Sequence, residues 1–467
     1  MEDAPKVIFE KIKSVRFTQR SANTKTIVVN GNVIPGDGEK ILKDSSLVIE
    51  NGMILDIIHH PFLPYDTSDE VIDARGGLII PGIINHHSHG GTTGPFNVFG
   101  EKALPIKRVL YNLTRHLLKG TTTIVNACGW PTIEEIEIMN KMHPVNLRGS
   151  TLHNPTHLKH AQFVDGRGIK EWHKSMTIEK MIERGAVAIG EVGAPCVAHG
   201  TPHIKEELGI EVTVSQIQSL KEAVLGPGVD PSAFNVEKVK GALTKSGLDH
   251  LLDPQKVKDL MERHVLIPYE MTCNCVEELC KYAAQYNIPI LFHNTLDTRE
   301  LLLGQAPKLG KHLIALHSNY TYSPSEAVAC ARELKKYGAW VDIFTADVYG
   351  AQMFHQSPEV TMTLFKEGLV DLISTDYIAG YWDPIPLVVE KAIEAGLISL
   401  PRAVQMMSKR VVDAIPRIGS ERGTLAPGKV ADVVITHPKK ISEIRAVIIG
   451  GRQVVEEGKI CLKEQRA

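Results

Sequence analysis

Eight apolar, strand-like runs alternate with helix-like stretches through the middle of this 467-residue chain. Successive runs are mostly spaced by about 25 to 40 residues, as one strand-helix unit requires. The runs are 79–86, 121–127, 147–152, 186–190, 288–292, 312–316, 339–344 and 369–375. This pattern predicts an α/β fold built on a (β/α)8 TIM-like barrel. Such a barrel takes about 250 residues, so the chain has room for a second, smaller region.

Both ends of the chain are rich in short β-branched runs separated by turn dipeptides, such as Asn30-Gly31 and Asn51-Gly52. The same pattern of short β-branched runs and turns returns near the C-terminus, where ADVVIT and AVIIGG follow a Gly-Pro-rich turn. Alternation of this kind is typical of small antiparallel sheets. We therefore predict a composite β-sandwich domain from residues 1–80 and 415–467, flanking the barrel over 81–414.

The fourth and fifth runs are unusually far apart, which makes residues 196–275 an insertion. It contains three helix-like segments, with Gly226-Pro227-Gly228 as a break between the first two. The segments are 214–224, 236–244 and 254–263. Loops that leave the carboxyl ends of barrel strands surround the cavity. The insertion is thus predicted to be a lid or a wall of a substrate pocket.

Polar residues close most of these apolar runs, and in a barrel the carboxyl ends of all strands share one cavity. His87 and His89 are two apart, so their imidazoles face the same side of the first strand. The other closing residues are Glu191, His293, His317 and Asp376. Imidazole and carboxylate suit Zn²⁺, Fe²⁺ or Mn²⁺. Six ligands exceed the need of one tetrahedral zinc, so two ions bridged by Glu191 are favoured, although each residue alone also fits a structural hydrogen bond or cap.

Five stretches carry a resemblance that extends over nearly the whole chain: PGIINHHSH, AIGEVG, ILFHN, LIALHSN and LISTD. Together they resemble the metal-dependent amidohydrolase superfamily, and Glu191 is similar to the bridging glutamate of its enamidase-like members. The resemblance implies two divalent metal ions per chain, zinc first with iron or manganese as alternatives. It also implies a metal-activated hydroxide and Asp376 as the catalytic proton shuttle.

The function this implies is hydrolysis of an amide-type C–N bond in a cyclic amide, imide or enamide-like small molecule. Two alternatives stay open: hydrolysis of a phosphoester, phosphonate or lactone at the same dinuclear site, and a non-catalytic scaffold like the dihydropyrimidinase-related proteins. Adenosine- and cytosine-type deaminases carry H-x-x-E on strand five. This chain has Leu296 three residues after His293, which makes nucleobase deamination less favoured.

Further polar residues follow the third and sixth runs: His153, His157, Asn319 and Tyr320. We predict that they bind substrate, with loop side chains bonded to backbone as the alternative. Cys273, Cys275 and Cys280 lie close together in sequence. They are interpreted as reduced packing thiols, because a structural zinc site would need a further ligand from a matching loop.

The net charge and the hydropathy of the chain restrict the kinds of partner that it is expected to bind. The formal net charge is −2, from 52 basic and 54 acidic residues. Without a broad positive field, a small-molecule substrate is expected, with no nucleic acid and no membrane partner. No uncharged apolar run approaches the roughly 20 residues that span a bilayer, and the first residues lack a signal-peptide apolar block. A cytoplasmic location is therefore expected, and analogy with other barrels of this design suggests a homo-oligomer.

Overall fold

This computed structural model describes residues 25–62, 69–194, 196–226, 228–350, 357–376 and 381–461. Predictions that fall on residues 1–24 and 462–467, including the one about a leading segment, lie outside the described residues. The described strands form two sheets, one of eight strands and one of nine. No helix within these ranges is long and apolar enough to cross a membrane.

The nine-stranded sheet begins with the first five strands of the chain. They are β1 (Thr26–Val33), β2 (Leu42–Glu50), β3 (Met53–Ile58), β4 (Glu70–Asp73) and β5 (Leu78–Pro81). β1, β2 and β3 pair in antiparallel fashion, whereas β4 and β5 run parallel to β1. Asn51 and Gly52 both have positive φ in the turn between β2 and β3, a backbone conformation that Asn and Gly adopt most easily.

The eight-stranded sheet follows. Its strands are β6 (Ile83–Ser88), β7 (Thr121–Asn126), β8 (Asn146–Thr151), β9 (Ala188–Val192), β10 (Ile290–His293), β11 (Leu313–Leu316), β12 (Trp340–Phe344) and β13 (Leu372–Ser374). Neighbours in sequence are parallel neighbours in space. At the seam, the Asp376 amide donates to the His87 carbonyl at 3.1 Å, and the Asn85 side chain donates to Thr375 Oγ1 at 2.7 Å. These bonds bring the eighth strand beside the first and form the barrel.

The nine-stranded sheet is completed by four strands from the other end of the chain: β14 (Val433–His437), β15 (Lys440–Ile449), β16 (Arg452–Glu456) and β17 (Lys459–Ile460). β14 pairs antiparallel with β5, so strands from both ends lie side by side. Their inward side chains, such as Val28, Leu47 and Val433, form a separate apolar core. The predicted fold class, a barrel with an added β-region built from both ends, is confirmed.

One strand prediction needs correction. The first run, 79–86, is divided between β5 in the nine-stranded sheet and β6 in the barrel. The division falls at Gly82, where a Cβ atom would lie 2.1 Å from Thr122 Oγ1. The Gly82 amide donates to Asp432 O, and the next amide already donates to Gly120 O. Only glycine fits this close approach, so the chain changes sheets at this residue.

Helices connect the barrel strands. They are α1 (Ile106–Leu117), α2 (Ile133–Met142), α3 (Pro155–Val164), α4 (Glu171–Lys174), α5 (Ile178–Arg184), and, after the insertion, α11 (Arg299–Leu309), α12 (Pro324–Lys336), α13 (Glu359–Lys366), α14 (Ile385–Glu394), α15 (Leu400–Met406) and α16 (Lys409–Ala414). α2 begins with a capping box in which Thr132 and Glu135 satisfy each other's backbone amides. Such caps position the loops that cross the barrel mouth.

The long segment between β9 and β10 is helical. It contains α6 (Cys196–Leu208), α7 (Val214–Leu225), α8 (Val236–Ser246), α9 (Pro254–Met261), a π-helical turn (Glu262–Leu266) and α10 (Ile267–Gln285). The three helix-like segments predicted here coincide with α7, α8 and α9. The boundary predicted at residue 275 lies inside α10, which runs on toward β10.

Candidate metal centre

His87 and His89 present their imidazoles to one point at the mouth of the barrel. His87 lies in β6 and His89 directly after it, and the two-residue period puts both rings on the same side. The ring centroids are 5.2 Å apart with the rings nearly perpendicular, and the two Nε2 atoms are 3.3 Å apart. This spacing allows both nitrogens to bind one ion.

Two carboxylates join these imidazoles. Glu191 Oε2, from β9, lies 3.1 Å from His87 Nε2 and 3.2 Å from His89 Nε2. Asp376 Oδ1, just after β13, lies 3.5 Å from each of the same two nitrogens. All four donor atoms lie within 4.8 Å of one another. We call this group the first cluster.

The other oxygen of Glu191 faces a second pair of imidazoles. Glu191 Oε1 lies 2.5 Å from His293 Nδ1 and 3.2 Å from His317 Nε2. His293 ends β10 and His317 follows β11, so neighbouring parallel strands place them side by side. Glu191, His293 and His317 form the second cluster. Glu191 therefore belongs to both clusters and directs one carboxylate oxygen to each.

The protonation states of Glu191 and His293 suit cation binding. Burial acts to raise the pKa of Glu191, but the charge of His87 and hydrogen bonds with His293 and His317 outweigh burial and hold that pKa well below its usual range. Burial lowers the pKa of His293 to about 4. An ionised carboxylate and a neutral imidazole are the forms that bind divalent metals.

His317 behaves differently from His293. Burial acts to lower the pKa of His317, but the hydrogen bond with Glu191 and the negative charge of Asp376 raise it overall. A proton therefore competes with a cation for His317 Nε2 more strongly than it does at His293. Metal loading of the second cluster is accordingly expected to weaken in acid.

Buried polar atoms that lack a hydrogen-bond partner also indicate a cation site. Asp376 Oδ1 is buried and has no hydrogen-bond partner among the described residues, and His87 Nδ1 shares this condition. Burying a carboxylate oxygen without a partner is costly. A divalent ion between the imidazoles would supply the missing partner for Asp376. The donor set of four imidazoles and two carboxylates fits zinc, iron or manganese.

Two of these residues have strained backbones. His317 has a φ of 35° and Asp376 a φ of 44°, both in the left-handed region. Such conformations cost roughly 1–3 kcal/mol each and persist when neighbouring contacts hold them. The His317 amide donates to Asp342 Oδ2 at 3.0 Å, and the Asp376 amide donates to the His87 carbonyl. These bonds fix the direction in which both side chains leave the backbone.

Two supporting residues were not found from sequence. Cys128, just after β7, has its Sγ 3.4 Å from His89 Nδ1. Asp342 in β12 accepts from Ser374 Oγ at 2.9 Å and lies 3.2 Å from His86 Nε2. Each closes or occupies an apolar run, which is the signal that would have identified it. Cys128 orients the ring of His89, and Asp342 orients the backbone at His317.

His153 and Tyr320, predicted to bind substrate, lie near the barrel mouth. His153 follows β8, its Nδ1 is 3.1 Å from Thr151 Oγ1, and burial lowers its pKa to about 3. The Tyr320 ring centroid is 6.5 Å from that of His293 and 6.1 Å from that of His317. Burial raises the pKa of Tyr320 to about 12, so its hydroxyl stays protonated as a donor. Substrate binding by both stays a prediction.

Asn319 and His157, the other two residues predicted to bind substrate, are engaged elsewhere. Asn319 donates to the Phe344 carbonyl at 3.0 Å and to Thr361 Oγ1 at 2.8 Å, and accepts from the Phe344 amide. His157 Nε2 lies 3.2 Å from the Val98 carbonyl, and its ring stacks on Trp130. The structure brings neither into the two clusters, and their role in substrate binding stays a prediction.

Comparison with known proteins gives a short sequence match and a long structural one. No family model matches the chain. A 66-residue stretch is 27% identical to 5-methylthioadenosine/S-adenosylhomocysteine deaminase of Bacillus cytotoxicus, and this match covers 14% of the chain and 15% of that relative. A stretch of the same length is 30% identical to the enzyme of that name from Bacillus cereus, again over 15% of the relative.

The structural matches cover nearly the whole chain. The beta-aspartyl dipeptidase of Fervidobacterium islandicum AW-1 superposes with a TM-score of 0.54 at 14% identity, over 96% of this chain and 100% of that one. The D-hydantoinase (dihydropyrimidinase) of a Thermus species superposes with a TM-score of 0.51 at 13% identity, over 94% of this chain and 97% of that one. The chain therefore shares with these proteins the fold of a (β/α)8 barrel joined to a separate β-sheet region.

Proposed function

We propose that this protein is a metal-dependent hydrolase of an amide-type C–N bond in a small molecule. The observation that carries the proposal is the position of Glu191, whose two carboxylate oxygens face two separate pairs of imidazoles. A carboxylate in this position suits the bridging of two divalent ions. In the proposal the first cluster holds one ion and the second cluster holds the other.

Two such ions, when bound, would lower the pKa of a water molecule and polarise a carbonyl group. Asp376 contributes the proton transfer. Its carboxylate lies beside both imidazoles of the first cluster, and its side chain is 9% exposed. In the proposal Asp376 takes the proton of the attacking water and gives it to the leaving nitrogen. In the proposal the Tyr320 hydroxyl, which stays protonated, donates a hydrogen bond to the substrate.

A cyclic amide, imide or enamide-like compound is the proposed substrate class. The support comes from the ligand pattern, with glutamate on the fourth strand, and from the structural likeness to a D-hydantoinase. Deamination of a nucleoside-type compound is the second candidate, favoured by the 66-residue match to deaminases. Against it, Leu296 stands where those deaminases are expected to carry glutamate, and its side chain packs against the apolar core.

The helices between β9 and β10 are proposed to form a wall of the substrate pocket. The Lys221 ammonium of α7 forms an ion pair with Asp297, and the Tyr269 hydroxyl donates to the Asp297 carbonyl at 3.1 Å. Asp297 is in the loop that follows His293. These contacts support a position beside the loop that follows the second cluster's His293.

The proposal is tested by metal analysis of the purified full chain combined with a substrate panel. We expect at least two ions per chain, hydrolysis of at least one cyclic amide or imide, and loss of activity after chelation that added zinc or manganese reverses. The panel includes a purine nucleoside, a phosphotriester and a lactone. Turnover of the nucleoside with release of ammonia, and of no amide, would replace the leading proposal with the second candidate. Chelation without effect on hydrolysis would contradict the metal-dependent mechanism itself.

A further inference from the structure

A separate group of metal-binding side chains lies outside the two clusters. His157 and His160 belong to α3, and Cys275 belongs to α10. One donor atom from each residue lies within 4.8 Å of the other two. The side chains are deeply buried, with 5%, 1% and 2% of the residue surface exposed. We call these three residues the helix cluster.

Local sequence explains how the two histidines reach one face. Asn154 caps α3 by accepting from the backbone amides of Thr156 and His157, and Pro155 occupies the first turn. The helix is therefore fixed from its first residue. His157 and His160 are three apart, and residues at this spacing are neighbours on a helix surface.

α10 brings the sulfur to the same place. Cys275 Sγ lies 4.0 Å from His160 Nδ1. Burial raises the pKa of Cys275 to about 12, so the thiol is protonated when no cation is bound. A nearby cation would displace that proton, because the thiolate is the metal-binding form.

The orientation of His157 is typical of a metal ligand. Its Nε2 lies 3.2 Å from the Val98 carbonyl, which only accepts, so Nε2 carries the proton and the lone pair is on Nδ1. Nδ1 is buried and has no hydrogen-bond partner in the described part of the chain. Burial also lowers the pKa of His157 to about 4, which keeps the ring neutral. A backbone carbonyl that fixes the tautomer of a histidine is the usual support of a metal-bound imidazole.

We propose that His157, His160 and Cys275 bind one further divalent ion of the zinc type, distinct from the two ions proposed at the barrel mouth. Two imidazoles and one thiolate form a borderline-soft donor set that prefers zinc to magnesium or calcium. Binding would release the Cys275 proton to solvent and leave a fourth position for water. In this proposal His157 and Cys275 hold an ion, which changes the roles predicted for both from sequence.

The position of the helix cluster gives the ion a structural consequence. A small cavity between α3 and α10 is lined by all three residues and by Val192, Gly193 and Ala194, which directly follow Glu191. An ion here would join the two helices behind the strand end that carries Glu191. Its loss is therefore expected to loosen the packing around β9 without removing any ligand of the two clusters.

The test uses cobalt as a spectroscopic substitute for zinc in the full chain. Cobalt bound to a thiolate gives a charge-transfer band in the near ultraviolet, whereas imidazole and carboxylate ligands do not. We expect this band in the wild-type protein after removal of metal and reloading with Co²⁺. We expect the Cys275→Ser variant to lose the band and to bind about one ion fewer per chain, consistent with a one-ion site.

Two cysteine variants serve as matched controls. Cys280→Ser changes a buried thiol on the same helix that is not in the helix cluster, and Cys128→Ser changes the thiol beside His89. Both are expected to keep the band. A band that persists in Cys275→Ser, or one that disappears only in Cys128→Ser, overturns the proposal.

A measurement without any substitution covers the case in which Cys275→Ser does not fold. X-ray absorption at the zinc edge of the zinc-loaded wild-type protein should include a sulfur scatterer at about 2.3 Å, weighted to roughly one sulfur for every three zinc ions when the barrel mouth is also loaded. A spectrum with nitrogen and oxygen scatterers alone overturns the proposal. A spectrum without sulfur would not contradict the proposed two-ion site, because that site contains no sulfur ligand.

Discussion

The barrel mouth and the helical insertion are built in opposite ways. The six candidate ligands at the mouth come from the ends of five different strands, and each is positioned by the sheet's backbone hydrogen bonds. The insertion is one continuous segment whose helices pack on each other through an apolar cluster of their own. That cluster includes Ile204, Ile217, Leu220, Val239, Leu243, Val257 and Leu260.

This difference shows which part of the molecule has a fixed geometry and which part can move. A ligand at the mouth cannot shift without disturbing a parallel strand that is hydrogen-bonded on its flanks. The insertion carries its own core and meets the loop after His293 through polar contacts at Lys221 and Tyr269. Because α10 also packs on α3 and β9, only the helices α6 to α9 can shift relative to the barrel through a few side chains, whereas the geometry of the two clusters cannot change in this way.

The largest expected effect is at the mouth. Asp376→Asn keeps the size of the side chain but removes the group that accepts and returns a proton. We expect kcat to fall by about 10³-fold with the fold unchanged, since positioned proton transfer contributes about 10²- to 10⁴-fold. The measurement is steady-state kinetics on the amide identified by the panel, with metal content determined in parallel. The matched control is Asp413→Asn, an exposed carboxylate paired with Lys409. A change of only a few-fold would remove Asp376 from the proposed mechanism.

The next effect concerns the attachment of the insertion. Lys221 is fully buried, and Lys221→Met leaves the Asp297 carboxylate without its cation. Removing one partner of a buried ion pair costs about 3–5 kcal/mol. We expect faster proteolysis within the insertion and an earlier urea transition, with the metal content of the barrel unchanged.

A double variant checks the cause of that effect. Adding Asp297→Asn to Lys221→Met removes the unpaired charge, so much of the lost stability should return. If the double variant is as unstable as the single one, the loss comes from packing around Lys221 rather than from the charge. If the barrel loses metal together with the insertion, the two regions are not separable in the way described above.

Glycine substitutions give a smaller effect of opposite sign in the two regions. Gly82→Ala forces a methyl group against Thr122 where the chain enters the barrel, and overpacking of this kind costs about 1–3 kcal/mol. Gly241 lies in α8 with open space where an added methyl group would point, so Gly241→Ala should add about 0.5–1 kcal/mol through helix propensity. Thermal and urea denaturation measure both. Equal tolerance at the two positions would contradict the contrast between a tightly fitted barrel entrance and a permissive insertion.

The smallest effect is pH-dependent and lies on the insertion surface. The hydrogen bond with His264, opposed by burial and helped by Lys256 and Arg263, lowers the pKa of Glu207 from 4.5 to about 2. Because the folded-state pKa is below the unfolded one, this contribution is present above about pH 4.5 and is lost as pH falls through about 2. Glu207 is largely exposed, so the contribution is below about 1 kcal/mol. Urea midpoints of wild type and Glu207→Gln should differ at about pH 6 and converge in strong acid. If the difference in urea midpoint does not shrink in acid, it arises from packing rather than from the charge of Glu207.

Much of the fold could be predicted because periodicity and apolar runs are local signals. The eight barrel strands and the helices α7, α8 and α9 are each specified by neighbouring residues, and the candidate ligands stand where apolar runs close. The division at Gly82 could not be predicted, since it depends on contact with Thr122 on another strand. The helix cluster could not be predicted for the same reason. His160 and Cys275 are 115 residues apart, and only the packing of α3 against α10 brings them together.

The bond from the Asp376 amide to the His87 carbonyl has a consequence for biosynthesis. The first and the last of the six residues are separated by most of the barrel sequence, yet they meet across its seam. A ribosome-bound chain that has reached only the seventh strand holds five of the six side chains and no neighbour for the exposed edge of β6. Assembly of the complete ligand set must therefore wait until the eighth strand has left the ribosome.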